Sequence, residues 1–79
     1  QQASRSELRG LLEKAAEKLP DGCRAVFVLR DLEELSTIDA ANALGITTEN
    51  VKTRLYRARA LLRKKLTHVR QWKTRKYWN

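Results

Sequence analysis

The sequence predicts an all-α fold, a small four-helix domain. Three observations carry the expectation. Apolar residues recur at i, i+3, i+4 and i+7, the spacing of a helix face on a core, and no stretch reads as a strand. A residue able to cap a helix precedes each periodic stretch. The breakers are few: one proline and three isolated glycines in 79 residues. The helices are expected at about 5–19, 21–33, 37–44 and 48–72.

The first helix follows Ser4, with Glu7 as its capping-box partner. Its stripe is Leu8, Leu11, Leu12, Ala15, Ala16 and Leu19, and Pro20 stops it. Asp21 is expected to cap the second helix. The middle of that helix, Ala25 to Leu29 (AVFVL), is apolar on every side. Such a segment is either a central helix wrapped by the others or a surface left open for a protein partner. After a break at Glu34–Leu35, Ser36 caps a short third helix, with Asp39 at its positive end. Gly45 closes that helix and Thr47 caps the fourth. Leu62, Leu66, Val69 and Trp72 keep the spacing of one face, so the fourth helix is expected to continue to about Trp72. Tyr77 and Trp78 lie beyond it, where aromatic groups beside Arg and Lys suit a partner surface. Phe27, Leu29, Val51 and Leu55 are the expected core.

Charge is segregated. Residues 1–50 carry six Lys/Arg and nine Asp/Glu; residues 51–79 carry eleven Lys/Arg and no acid. The net charge of +8 therefore comes from the second part, which calls for a polyanionic partner. Nucleic acid is the first candidate and an anionic membrane surface the second. No apolar run is long enough to span a bilayer, and no signal-peptide pattern is present. The chain contains no Met, so a piece of a longer protein is expected. One cysteine, Cys23, makes no internal disulfide and fits a reducing, cytoplasmic setting as a small buried apolar residue. His68 is the single histidine, set among Lys and Arg, so a zinc site lacks ligands and nothing local supports a Cys/His nucleophile. No glycine-rich phosphate loop exists. No catalytic residue, metal ligand or cofactor is expected, and the chain does not read as an enzyme.

The third and fourth helices make a C-terminal helix-turn-helix pattern. Ala40 and Ala41 permit close approach, Gly45 turns the chain, and Ile46 and Val51 supply the packing. On a helical wheel Val51, Leu55, Ala58 and Leu62 share the core face. Opposite lie Glu49, Thr53, Tyr56 and Arg57, flanked by Asn50 and Lys52. Arg and Lys match guanine acceptors, Thr and Tyr suit thymine methyls or phosphates, and Glu accepts from cytosine. The N-terminal turns of such a helix are the ones that enter a major groove. The expected DNA-binding residues are Thr48, Glu49, Lys52, Thr53, Tyr56 and Arg57. Thr47, Arg54 and Arg59 are expected phosphate contacts, although the two arginines can equally stretch over the core edge. Arg63, Lys64 and Lys65 read as nonspecific charge.

From Leu19 to Leu66 the chain resembles region 4 of bacterial RNA polymerase sigma factors of the extracytoplasmic-function (ECF) group. The matching residues are Leu19-Pro20, Arg24–Ser36 (RAVFVLRDLEELS), Leu44–Ile46 (LGI) and Val51–Leu62 (VKTRLYRARALL). The family often has a larger aliphatic residue where this chain has Ala40. The resemblance implies binding to the promoter −35 element through Lys52, Thr53, Tyr56 and Arg57, docking on the β-subunit flap of RNA polymerase, and in many members an anti-sigma factor. It divides the chain into a region 4 domain, 1–66, and a basic, aromatic extension, 67–79. The competing readings are a response-regulator-type output domain, which would dimerise through its last helix against like charge, and a module that binds only protein.

Overall fold

A computed structural model describes residues 4–66, which form four helices: α1 (Arg5–Ala16), α2 (Asp21–Phe27), α3 (Thr37–Leu44) and α4 (Thr48–Lys65). A π-helical turn, Val28–Leu32, prolongs α2. No strand occurs among the described residues. The all-α expectation is met, with α4 held chiefly by α2 and then by α3.

Each helix start follows from local chemistry. The Ser4 hydroxyl accepts from the Glu7 amide at 3.1 Å while the Glu7 carboxylate accepts from the Ser4 amide at 2.8 Å, a complete capping box. Ser36 and Thr47 accept from the amides of Asp39 and Asn50, both at 3.0 Å. Asp21 differs from expectation. Pro20 leaves in extended geometry and its carbonyl already accepts from the Arg24 amide, so Asp21 falls inside the first turn and its carboxylate pairs with Arg24 at 3.1 Å.

The first helix also ends sooner than its stripe. Glu17, Lys18 and Leu19 donate to the carbonyls three residues back, so the chain tightens into 3₁₀ geometry after Ala16. Leu19 precedes a proline and cannot hold α geometry, and the tightening absorbs that restriction while keeping Leu19 buried. Leu11 falls outside the core at 40% exposure, since α1 lies at the edge of the bundle and buries only the narrower stripe of Leu8, Leu12 and Ala16.

Phe27, Leu12, Leu62, Val26 and Val51 are the largest fully buried side chains. No residue from Ala25 to Leu29 is exposed, which fits a central position for α2. Leu29 is half-buried rather than fully so, because it stands in the widened π turn and only packs against the core from outside. That turn is closed by Glu33 donating to the Val28 carbonyl at 2.8 Å, and Leu35 donates to Leu29 at 2.9 Å. The chain then reverses at Glu34, whose φ of 61° is left-handed. Arg9 ties α1 across this point. Its guanidinium donates to the Leu32 carbonyl at 2.8 Å and pairs with Glu33 and Glu13, and these carboxylates, Glu33 first, raise its pKa above the ordinary arginine value.

Helix α4 ends at Lys65, with Leu66 as a buried, non-helical cap. The expected continuation to Trp72, with Tyr77 and Trp78, lies outside the described residues.

Candidate nucleic-acid interface

The interface begins at the turn between α3 and α4. Gly45 takes φ 67°, ψ 35°, so the Ile46 amide reaches back to the Ala41 carbonyl at 3.1 Å and the Gly45 amide to Asn42 at 3.4 Å. This Schellman closure satisfies the Ala41 and Asn42 carbonyls and turns the chain straight into the Thr47 cap of α4. Ala40 and Ala41 are buried at 0% and 4%, leaving no bulk between the two helices.

Burial fixes the rotation of α4 about its own axis. Val51, Ala58 and Leu62 have no exposed surface and Leu55 keeps 7%. Glu49, Asn50, Lys52, Thr53, Tyr56 and Arg57 consequently face solvent, Tyr56 at 75%. Thr48 is half-buried at the first turn. Lys52 and Glu49 lie 3.7 Å apart with both side chains mostly in water, a pairing that holds neither firmly.

The three expected phosphate contacts stand in different surroundings. Thr47 is exposed beside the open amides of α4, its oxygen serving as the cap. Arg54 is half-buried, its guanidinium over Gly22 of α2, where an added β carbon would come within 3.0 Å of Nη1. Arg59 forms a two-pronged ion pair with Asp31, Nε to Oδ2 at 2.8 Å and Nη2 to Oδ1 at 2.6 Å. Asp31 is the single buried charged residue among those described, its side chain 3% exposed against 24% for Arg59. The pair joins α4 to the π turn, and sequence spacing gave no sign of it.

Beside the exposed face of α4 lies a hollow of about 390 Å³ lined by Arg30, Thr37, Val51, Lys52, Leu55, Tyr56, Arg59 and Arg63. Four of the lining residues are cations and none is an acid, though Arg59 among them is already paired with Asp31. Arg30 is the residue that the sequence reading missed, hidden in a stretch judged by its apolar neighbours. Its Nη1 donates to the Leu35 carbonyl at 2.8 Å, and its buried Nε has no protein acceptor. A lone cation just before the helix-turn-helix was the available signal. A second hollow, about 280 Å³, is lined by Arg30, Asp31, Glu34 and Arg59.

Among the described residues no three His, Cys, Asp or Glu side chains gather as a metal site requires, and no helix is long and apolar enough to cross a membrane.

The sigma-70, region 4 family matches residues 9–62. The chain is 43% identical over 60 residues to the ECF RNA polymerase sigma factor SigW of Bacillus subtilis, covering 76% of this chain and 32% of that protein. It is 45% identical over 58 residues to the RNA polymerase sigma-E factor of Streptomyces antibioticus, covering 73% and 32%. It is 37% identical over 71 residues to the RNA polymerase sigma factor YlaC of Bacillus subtilis, covering 90% and 41%. The chain thus spans a third or somewhat more of the length of these relatives. No solved structure gives a significant match. With a helix-turn-helix whose second helix turns a polar, basic face outward, the chain belongs to the sigma-70 region 4 family, in its extracytoplasmic-function branch.

Proposed function

We propose that this chain is the part of an ECF sigma factor that recognises the promoter −35 element, acting by binding and not by catalysis. One observation carries the reading: core burial turns the first turns of α4 outward with Lys52, Thr53, Tyr56 and Arg57 together on the exposed side. Lys52 and Arg57 fit guanine acceptors in a major groove, Thr53 and Tyr56 a thymine methyl or a phosphate, and Glu49 a cytosine amino group. Thr47 and Thr48 stand at the helix N-terminus, where amides and hydroxyls suit a phosphate. Arg30 and Arg63, on the basic hollow beside these readers, suit neighbouring phosphates. Arg59 is better read as the tie to Asp31 than as a phosphate contact, since withdrawing it would strand a buried carboxylate.

Docking on the RNA polymerase flap would use apolar surface, for which Leu11 and Leu61, each 40% exposed, are the available side chains on α1 and α4. An anti-sigma factor would compete for the same surfaces. The setting is the cytoplasm, where polymerase and promoter meet, and residues 1–66 are the working domain with 67–79 as an extension.

Selection of bound duplexes from a random pool tests the reading. Enrichment of one short motif, with binding lost when that motif is scrambled, is the expected result. Recovery of unrelated sequences at every round would falsify it.

A further inference from the structure

Gly22 lies in the first turn of α2, without the left-handed φ that would call for glycine. In a helical turn glycine is destabilising relative to alanine, so the fold by itself favours a side chain there. What glycine leaves is room. A β carbon at this position would stand 3.0 Å from Nη1 of Arg54, 3.4 Å from its Cζ and 3.6 Å from its Cδ. The Arg54 guanidinium therefore rests on bare backbone of α2.

Arg54 gains no polar partner from this seat. It is half-buried, yet among the described residues it makes no hydrogen bond or ion pair. Asp21, next to Gly22, is taken by Arg24. The start of a helix carries partial positive charge, so α2 itself does not attract a cation there. A guanidinium stays charged and presents five donors. Arg9, Arg24 and Arg59 each have a carboxylate, whereas Arg54 is seated without one.

Its place on α4 indicates where an acceptor comes from. Arg54 shares a helical row with Asn50, four residues before it, and Arg57, three after. A different row, with Lys52, Tyr56 and Arg59, lines the basic hollow. The two rows rest on opposite ends of one segment: Arg54 on the start of α2, Arg59 on the π turn that prolongs it. A helix in a major groove has a phosphate strand along each side. The hollow, with Arg30 and Lys52, lies toward one strand, and the row of Arg54 lies toward the other.

We propose that Gly22 is a positioning residue for DNA binding: the side chain it lacks leaves the seat that holds Arg54 toward the phosphate strand on the side of α4 away from the hollow. The inference rests on the DNA-binding reading above. A seated guanidinium loses less freedom when it meets a phosphate than one free in water, so the seat raises affinity. It does so on every sequence alike, because a phosphate contact carries no base information.

The test is a cycle of Gly22→Ala, Arg54→Gln and the double variant in the full chain. Each is titrated across a salt series with the duplex recovered by selection and with a scrambled duplex, beside thermal melts. Arg54→Gln should bind both duplexes about 3–10-fold more weakly at low salt, with a salt slope shallower by roughly one. Gly22→Ala should melt at or above the wild-type temperature, since the far end of Arg54 can swing aside, yet share the loss on both duplexes. The double variant should bind no more weakly than Arg54→Gln alone. Wild-type affinity and slope in Arg54→Gln overturn the proposal, and that variant leaves the α2 backbone untouched. Wild-type affinity in Gly22→Ala overturns it too, as do losses that simply add in the double variant. A wild-type chain that selects no motif sinks the promoter reading instead; the cycle on scrambled duplex is decided separately.

Discussion

Arg57 and Arg59 stand two residues apart on α4 and have opposite surroundings. Arg57 projects into solvent beside Tyr56 and Lys52. Arg59 is clamped to a carboxylate that is 3% exposed, on a segment 28 residues back along the chain. The outer flank of α4 thus presents charge that can be given to a partner, while the inner flank uses the same chemistry internally. A recognition helix needs both, since side chains that read a groove are useful only if the helix beneath them cannot roll. The difference shows that residue type alone does not assign a role within a basic helix; what lies across the helix does.

Five substitutions would break or sharpen that contrast. Phe27, in the core beneath α4, has no exposed surface, so Phe27→Ala should cost about 3–5 kcal/mol, read as loss of a cooperative thermal transition. Arg59→Ala should lower stability by about 3 kcal/mol in denaturant titration, near the low end for a broken buried pair because Arg59 keeps 24% of its side chain in water. A loss below half a kcal/mol would show that the two flanks are equivalent. Arg57→Ala or Lys52→Ala should leave the denaturation midpoint almost unmoved yet weaken binding to the preferred duplex by about 1–3 kcal/mol, with relaxed preference at one or two base pairs. Equal losses on preferred and scrambled duplex would make them phosphate contacts only. Gly45→Ala has open space for its new methyl but must hold φ 67°, so a loss of about 1 kcal/mol is expected in the same titration.

Much of this was legible in the sequence because it is local. The Ser4–Glu7 box, the Ser36 and Thr47 caps and the Gly45 closure each involve residues within a few positions, and a single wheel separated Val51, Leu55, Ala58 and Leu62 from the polar face of α4. What escaped was either non-local or a deviation from regular geometry. The Asp31–Arg59 pair links residues 28 apart, and no periodicity encodes it. The π turn depends on which carbonyl Glu33 finds, a choice made by packing. Leu11 kept the helical spacing but stays 40% exposed, because a stripe records what a helix could bury rather than what α1, at the edge, has to bury it against. Arg30 was lost among its apolar neighbours.

The π turn also bears on how this segment tolerates changes in length. A turn closed five residues back holds one residue more than an α-helical turn. Deleting a residue from Val28–Leu32 could therefore restore ordinary helix without stretching the chain on either side. The deletion would nevertheless swing Asp31 away from Arg59 and carry the start of the Glu34 reversal with it. The spare residue works as a phase adjuster, setting the angle at which everything after α2 leaves the bundle; a chain one residue shorter here would keep its helices and aim them differently.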